Sequence, residues 1–166
     1  IKKTKEIDNN FQIVTFNEIP KIYFDNNLKP LLDNDKRNSI FNEYEPTNLI
    51  YLKFDEINEF SSDEFLKFLD INLNTNKIVV GKDFRFGKNR TGEVNNIINY
   101  FGENNVILLS DYLIENEKVS STKIRKYLDD GNINQANKFL GRKYELLGTV
   151  VEGLKMGSKL GFPTAN

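Results

Sequence analysis

Residues 119–127 combine hydroxyl and cationic side chains at the start of a predicted helix. The residues there that could contact a ligand are Ser120, Ser121, Thr122, Lys123 and Arg125. Hydroxyl groups at this place are common helix caps, but capping does not explain the cations, because the helix dipole disfavours positive charge in the first turn. An anion bound between Lys123 and Arg125 would remove that conflict. The segment therefore predicts a phosphate site at a helix start, made of backbone N–H groups, hydroxyls and an arginine.

Residues 81–92 form a second segment with ligand-binding character. They directly follow an apolar run and contain glycines, two phenylalanines and four cations. Glycine lets main-chain N–H groups approach an anion, aromatic rings offer flat faces to a ring system, and lysine or arginine can meet a phosphate. The alternative is a loop in which Phe84 and Phe86 fill the hydrophobic core, since phenylalanine is usually structural. The residues alone leave both interpretations open.

Residues 148–166 form a third segment, in which glycines are closely spaced and a Gly-Phe-Pro-Thr-Ala-Asn sequence ends the chain. Glycine spacing alone is weak evidence, since hairpins need it too. The neutral oxygens of Thr164 and Asn166 could help to hold Mg²⁺ and a nucleotide phosphate. A β-turn at the end of a strand is an equally good interpretation.

The chain has 166 residues and contains neither cysteine nor histidine. Within these residues, that composition excludes disulfides, thiolate nucleophiles, Cys/His zinc sites and every catalytic arrangement that needs histidine. A net charge of -1 gives no general attraction to nucleic acid or anionic membranes. The apolar runs are far shorter than the roughly 20 residues of a membrane span. We expect a cytoplasmic protein that binds small molecules through local sites.

The elements that must position these segments alternate between strand and helix. Apolar or β-branched runs predict strands over residues 11–16, 48–53, 77–80 and 106–109. Capped or periodic segments predict helices over residues 1–7, 31–44, 61–69, 92–100, 120–129 and 134–140. The alternation is typical of an α/β fold with a parallel sheet covered by helices, whose ligands lie beyond the carboxyl ends of the strands.

The character of the chain changes after Gly141. A long strand is predicted over residues 144–153, followed by closely spaced glycines and Pro163. We therefore divide the chain into a first domain, residues 1–142, and the beginning of a β-rich domain, residues 143–166.

In this order and spacing, the three segments resemble the bacterial bifunctional riboflavin kinase/FMN adenylyltransferase family, also called FAD synthetase. Residues 80–87 are similar to the family's flavin-side loop, residues 120–125 to its S-S-T-x-I-R signature, and residues 140–166 to the start of its kinase module. The resemblance implies a Rossmann-like nucleotidyltransferase domain with a parallel sheet, followed by the start of a six-stranded β-barrel riboflavin kinase domain. It also implies that AMP passes from ATP to FMN with Mg²⁺, giving FAD and pyrophosphate, in a parent enzyme that phosphorylates riboflavin to FMN.

The site residues implied by the resemblance fall into three groups. The ATP phosphates are assigned to Ser120, Ser121, Thr122 and Arg125, the last three with a catalytic role, and Asp83 lies near the nucleotide. The flavin is assigned to Gly81, Asp83, Phe84, Arg85, Phe86 and Gly87. The kinase nucleotide and its Mg²⁺ are assigned to Thr164 and Asn166. The implied partners are nucleotides and flavins, without nucleic acid or membrane, for a chain that is monomeric or weakly self-associating.

Two features of that family are missing from these residues. The family's G-x-F-D-G-x-H-x-G-H pattern, whose histidines contact ATP, would precede Ile1, and the later kinase strands with their catalytic glutamate would follow Asn166. We therefore expect the chain to be part of a longer parent and to lack riboflavin kinase activity by itself. One alternative is a non-catalytic flavin- or nucleotide-binding relative, which the missing histidines favour. The other is a different adenylyltransferase of the same superfamily, which residues 83–87 and 161–166 disfavour.

Overall fold

Helices and strands alternate along the part of the chain that the computed structural model describes, which comprises residues 1–25, 27–28, 30–146, 148–149, 151 and 161–162. Its helices are α1 (Lys2–Ile7), α2 (Pro20–Phe24), α3 (Asn34–Asn42), α4 (Phe54–Ile57), α5 (Ser62–Leu73), α6 (Val94–Phe101), α7 (Ser121–Asp129) and α8 (Ile133–Leu140). Its strands are β1 (Gln12–Phe16), β2 (Asn48–Leu52), β3 (Ile78–Gly81), β4 (Arg85–Phe86), β5 (Gly92–Glu93), β6 (Val106–Leu109), β7 (Leu113–Ile114) and β8 (Glu117–Lys118). Each strand and helix predicted before residue 141 is present, with bounds shifted by a few residues.

Parallel strand pairs form the centre of the molecule. β1 pairs with β2 in the register Gln12↔Asn48 to Phe16↔Leu52, and β3 pairs with β6 in the register Ile78↔Val106 to Gly81↔Leu109. Parallel neighbours need a crossover connection, and helices supply it in both pairs. Among the described residues, hydrogen bonds join strands only two at a time, so the predicted continuous parallel sheet and its Rossmann-like order stay predictions.

One hydrophobic core packs against both parallel pairs. Its buried members are Leu52, Ile57, Phe65, Leu66, Ile78, Phe86 and Ile97. Partly buried residues of both pairs, including Ile50 of β2 and Val80 of β3, pack against this cluster. Leu66 and Ile97 are each 1% exposed, so α5 and α6 each contribute a fully buried side chain. The core thereby fixes the ends of the strands, where the candidate ligand segments begin.

The start of α5 is fixed by the capping box predicted from Ser61 and Glu64. The Ser61 hydroxyl accepts a hydrogen bond from the Glu64 backbone N–H at 3.2 Å, and the Glu64 carboxylate accepts one from the Ser61 backbone N–H at 2.8 Å. These bonds satisfy backbone donors that have no acceptor inside the helix. This helix start is also the surface on which the loop after β4 rests.

The long strand predicted over residues 144–153 is wrong for the described residues of that range. Residues 144–146, 148–149 and 151 have no strand structure, and Leu146 is 81% exposed. An isolated strand is unstable without a neighbour to accept its backbone hydrogen bonds, and the described residues place none beside this segment. Residues 147, 150 and 152–153 lie outside the described residues.

Candidate functional site

Two loops leave the same edge of the β3–β6 pair, because parallel strands share their carboxyl ends. The pair ends at Gly81 and Leu109, and the Lys82 backbone N–H continues the ladder to the Leu109 carbonyl at 3.4 Å. After β3 the chain turns tightly, with the Phe84 N–H bonded to the Gly81 carbonyl at 3.0 Å. After β6 the chain passes through Asp111 into the β7–β8 hairpin. This edge is where an open α/β structure usually binds its ligand.

Lys118 joins the two loops. Its ammonium group lies 2.5 Å from the Asp83 carboxylate and 2.8 Å from the Asp111 carboxylate, while Lys82 contacts the other oxygen of Asp111 at 3.0 Å. Hydrogen bonding to Lys118 is the main cause that lowers the pKa of Asp83 and of Asp111 below the ordinary value. The same two carboxylates raise the pKa of Lys118, Asp111 most strongly. The four side chains therefore form one network of alternating charge at this edge.

The β7–β8 hairpin leads directly into α7. Its turn residues Glu115 and Asn116 both have positive φ, at 52° and 63°, which is the conformation of a two-residue hairpin turn. At the hairpin tip, Glu115 forms an exposed ion pair with Lys138 of α8 at 2.5 Å, and pairs of this kind contribute little to stability. The Val119 N–H bonds to the Tyr112 carbonyl at 2.9 Å and closes the base of the hairpin. The start of α7 is thus carried on the same support as Lys118.

The start of α7 combines capping with exposed polar groups. The Ser120 hydroxyl accepts a hydrogen bond from the Lys123 N–H at 3.3 Å. Ser120 is therefore the cap of α7, which is the common role of a hydroxyl at a helix start. Ser121 and Thr122 are exposed and open the helix, where backbone N–H groups lack an acceptor within the helix. These two residues therefore have the exposure that contact with a phosphate requires.

Two parts of the charge argument for α7 need correction. Lys123 lies in the first turn, but its ammonium is paired with the Glu117 carboxylate of β8, which balances that charge without any ligand. The pairing also lowers the pKa of Glu117. Arg125 is the fifth residue of the helix, so it lies beyond the first turn, where the dipole acts most strongly. Its phosphate-binding role thus stays a prediction that the dipole conflict no longer supports.

The two phenylalanines of the loop after β3 lie in different environments. Phe86 is 6% exposed and packs against Phe65 of α5 with ring centroids 5.3 Å apart, so it belongs to the hydrophobic core. Phe84 is 37% exposed and stacks on Phe86 with centroids 5.6 Å apart. The core packing supports the structural interpretation for Phe86. The exposed face of Phe84 is the one that can meet a flat ligand.

The other residues that were predicted to bind the flavin lie in the loop after β3 or next to it. Arg85 of β4 is ion-paired with Glu93 of β5 across the short antiparallel pair. Gly87 has a φ of 71°, and a Cβ at this residue would lie 2.9 Å from the Ser62 backbone nitrogen, so only glycine fits against the start of α5. Gly81 ends β3, and a Cβ there would make only an ordinary contact with Asp83. Asp83 itself is exposed and held by Lys118.

A cleft lies at the carboxyl ends of β1 and β2, away from the edge that carries Lys118. The cleft has a volume of about 260 Å³ and is bordered by residues 17–20 and 53–55 and by the exposed ring of Tyr23. The Tyr23 ring meets the Phe54 ring edge-on, with centroids 5.2 Å apart. Arg37 of α3 fixes this end of β1 by donating hydrogen bonds to the Phe16 and Asn17 carbonyls at 2.8 and 3.1 Å.

Sequence reasoning missed Asp111, Lys118 and the cleft beside Tyr23. The rule that ligands gather at the carboxyl ends of parallel strands could have indicated Asp111, which lies two residues after β6. It could also have indicated Lys53, which follows β2 directly. No local pattern marks Lys118, because the two-residue strand that carries it is too short to show an alternation.

Thr164 and Asn166, predicted for the kinase nucleotide and Mg²⁺, lie outside the described residues. Within the described ranges, no three His, Cys, Asp or Glu side chains come together as a metal cluster. The helices of that part of the chain include none with the length and apolar character of a membrane span.

Comparison with known proteins identifies the two ends of the chain separately. A sequence profile described as FAD synthetase matches residues 1–123, and one described as riboflavin kinase matches residues 140–166. The bifunctional riboflavin kinase/FMN adenylyltransferase of Buchnera aphidicola subsp. Schizaphis graminum is 42% identical over 123 residues, which cover 71% of this chain and 39% of that protein. The protein of the same name from Buchnera aphidicola subsp. Acyrthosiphon pisum is 34% identical over 160 residues, which cover 93% of this chain and 51% of that protein.

A solved structure has a similar fold over almost the whole chain. It is the crystal structure of a protein from Streptococcus pneumoniae described as a macrolide-efflux protein, with a TM-score of 0.80 and 31% sequence identity. The similarity covers 99% of this chain and 56% of that one. The chain thus spans about half the length, or less, of the relatives described above. Because the FAD synthetase profile matches residues 1–123 of 166, the chain belongs to the FAD synthetase family.

Proposed function

We propose that the protein containing this chain transfers AMP from ATP to FMN, which gives FAD and pyrophosphate. The observation that carries the proposal is the joining of the Asp83 loop to the support of α7 through Lys118, at 2.5 and 2.8 Å from its two carboxylates. Through this contact the loop that contains Asp83 lies close to the residues that lead into α7, and this proximity supports a shared site for the flavin and the ATP phosphates. Membership of the FAD synthetase family and the names of the relatives support the same reaction.

The chemistry needs two anions to be aligned rather than a protein nucleophile. An oxygen of the FMN phosphate attacks the α-phosphorus of ATP in line, the new P–O bond forms, and the bond to the β-phosphate oxygen breaks, so that pyrophosphate leaves. Such a step is accelerated chiefly by positioning and by groups that stabilise charge. The absence of cysteine and histidine from these residues is compatible with it.

The proposed roles follow from where the side chains lie. Ser121 and Thr122 would meet the ATP phosphates with hydroxyls and backbone N–H groups, and Arg125 would supply a charged donor. Phe84 would stack on the isoalloxazine ring with its exposed face. Ser120 would act through the start of α7, since its hydroxyl caps the helix.

Magnesium is expected with this substrate, but the described residues do not form a cage for it. Asp83 and Asp111, the two carboxylates at this edge, are both ion-paired with lysine ammonium groups. Mg²⁺ is commonly held by substrate phosphates and water with only one or two carboxylates. We therefore assign it to the ATP phosphates, as part of the substrate, and assign no step to a protein-bound ion.

The cleft beside Tyr23 and Phe54 is a second candidate place for the flavin ring. It is concave and lined by an exposed aromatic side chain, whereas the surface around Phe84 offers one partly exposed ring. Two variants separate the places: Phe84→Ala should weaken FMN binding if the ring stacks on the loop after β3, and Tyr23→Ala should weaken it if the ring lies in the cleft. Titration of the bound-flavin fluorescence measures both.

Residues 140–166 support a second activity, the phosphorylation of riboflavin by ATP, through their match to the riboflavin kinase profile. We propose that residues 1–142 belong to the adenylyltransferase domain, of Rossmann-like order, and that residues 143–166 begin the β-barrel kinase domain. Thr164 and Asn166 would hold the kinase nucleotide and Mg²⁺. The substitution Thr164→Ala in the protein of full natural length should abolish FMN formation from riboflavin and leave AMP transfer to added FMN intact.

The test of the proposed reaction is chromatographic separation of flavins after incubation of the protein, at full natural length, with FMN, ATP and Mg²⁺. FAD should accumulate, and nicotinamide mononucleotide offered in place of FMN should give no dinucleotide. Binding of FMN and ATP without FAD formation would support the non-catalytic relative. Efficient transfer to nicotinamide mononucleotide would support another adenylyltransferase.

A further inference from the structure

Lys118 contacts both loops at this edge, but the roles proposed for the reaction do not include its side chain. It ends β8 two residues before Ser120, and its ammonium group bridges Asp83 and Asp111 from different loops. The other described lysine ion pairs outside this network each join one lysine to one carboxylate, as Lys138 does with Glu115. Three segments, after β3, after β6 and before α7, thus meet at one cation.

We propose that Lys118 is a positioning residue, which fixes the Asp83 loop in register with the start of α7 by holding Asp83 and Asp111 together. The proposal rests on the proposed function, because the two segments in register are those assigned to FMN and ATP. Lys118 acts through these carboxylates and is not assigned a contact with either substrate.

The geometry separates this cation from an ordinary surface ion pair. An ammonium group has three donors, and Lys118 directs two of them at different carboxylates. The Asp111 side chain is only 22% exposed and also forms an ion pair with Lys82. One member of the network is therefore half-buried and held from two sides. Isolated surface pairs contribute little, whereas networks with a fixed geometry can do more. The raised pKa of Lys118 and the lowered pKa values of its partners agree with this arrangement.

The matched control is Lys138, whose side chain is 44% exposed against 45% for Lys118 and whose partner lies on the same hairpin. The variants Lys118→Met, Lys118→Arg and Lys138→Met are made in the protein at full natural length. We expect Lys118→Met to lower kcat/KM by about 5- to 30-fold. The loss can arise from a higher KM for ATP and FMN or from a lower kcat. Lys118→Arg should recover most of the loss, because arginine can bridge two carboxylates, and Lys138→Met should stay within about twofold of wild type.

Asp111→Asn separates positioning from direct contact with phosphate. If Lys118 positions the loop, removing one of its carboxylates should reduce kcat/KM, and the double variant Lys118→Met/Asp111→Asn should be no worse than Lys118→Met. If Lys118 is itself a phosphate ligand, Asp111→Asn should tighten ATP binding, and the positioning role is wrong. This variant retains the Asp83 contact, so it also provides the test if Lys118→Met loses its melting transition.

The two levels of the proposal fail differently. A folded wild-type protein that forms no FAD would overturn the proposed function. A wild-type protein that forms FAD, with Lys118→Met and Lys138→Met equal in kcat/KM for both substrates, would overturn the role of Lys118 alone. A fall in melting temperature for Lys118→Met with unchanged kcat/KM would also overturn it, because the contact would then be structural only.

Discussion

Gly92 lies directly against the ring of Phe86. A Cβ at residue 92 would come within 2.6 to 2.8 Å of three ring carbons, which is closer than side chains approach in proteins. Gly92 is also buried and pairs with Phe86 across β4 and β5. The close contact fixes the ring that underlies Phe84, and it connects the candidate flavin loop to the hydrophobic core.

Gly92→Ala should therefore destabilise the chain. The added methyl group must displace a buried aromatic ring or shift the backbone, and overpacking of this kind costs about 1 to 3 kcal/mol. The control is Gly81→Ala, where the added Cβ would lie 3.8 Å from an Asp83 carboxylate oxygen, at ordinary contact distance, and should be tolerated. Denaturant unfolding of both variants measures the difference, and equal midpoints would contradict the packing described for Gly92.

Phe86→Ala should mainly lower stability, whereas Phe84→Ala should mainly weaken FMN binding. Removing the buried Phe86 ring should lower the free energy of unfolding by about 3 to 5 kcal/mol. Removing the partly exposed Phe84 ring should cost less than about 1 kcal/mol and should weaken FMN binding. Paired measurement of unfolding and flavin titration makes the comparison. If both variants fold and bind FMN as tightly as wild type, the loop after β3 is not part of the flavin site.

The capping box of α5 predicts a pH dependence of stability. Hydrogen bonds from the Ser61 backbone N–H and hydroxyl lower the pKa of Glu64 below its ordinary value. A lowered pKa in the folded state means that the carboxylate stabilises the fold above the ordinary pKa of glutamate, about 4.3, and that this contribution is lost as pH falls through the folded-state value.

Glu64→Gln should thus be less stable than wild type at pH 7, and the difference should shrink between about pH 5 and pH 3. Glu103→Gln, which changes an exposed carboxylate outside α5, provides the control. Denaturant midpoints across that pH range test the prediction, and a constant difference between Glu64→Gln and wild type would mean that the carboxylate charge is unimportant to the cap.

Arg125→Ala tests the placement of the ATP phosphates on α7. Loss of a charge-assisted hydrogen bond worth about 1.5 to 3 kcal/mol should weaken ATP affinity about ten- to hundred-fold. Lys126→Ala is the matched control, because Lys126 is the next residue of the same helix and is exposed. Calorimetric ATP titration, with thermal melting of each variant, gives the result. If Arg125→Ala binds ATP as tightly as wild type and Lys126→Ala do, Arg125 is not part of the phosphate site.

Local patterns in the sequence were sufficient for the longer helices and strands of the first 140 residues, but they did not predict the short elements α2, α4, β4, β5, β7 and β8. The apolar runs that became β2, β3 and β6 and the box of Ser61 with Glu64 are signals carried by neighbouring residues. The hairpin strands β7 and β8 carry no such signal, since two residues cannot show a period. The strand predicted over 144–153 failed in its described residues because pairing depends on a neighbouring strand, which the segment's own composition does not supply.

The candidate site was only partly predictable for the same reason. The segments around Asp83 and Ser120 were recognisable from their composition, but the meeting of Asp83, Asp111 and Lys118 depends on the parallel register of β3 and β6. Likewise, the charge of Lys123 looked unbalanced because its partner Glu117 lies six residues away on a strand that the sequence did not reveal.

The fate of labelled phosphate decides whether the protein makes FAD. Protein of full natural length is incubated with FMN, Mg²⁺ and ATP labelled either at the α-phosphate or at the γ-phosphate, and the products are separated by chromatography. AMP transfer places the α-label in FAD and the γ-label in pyrophosphate, in equal amounts. If the protein is folded and binds both substrates but no flavin carries the α-label, adenylyl transfer to FMN is contradicted.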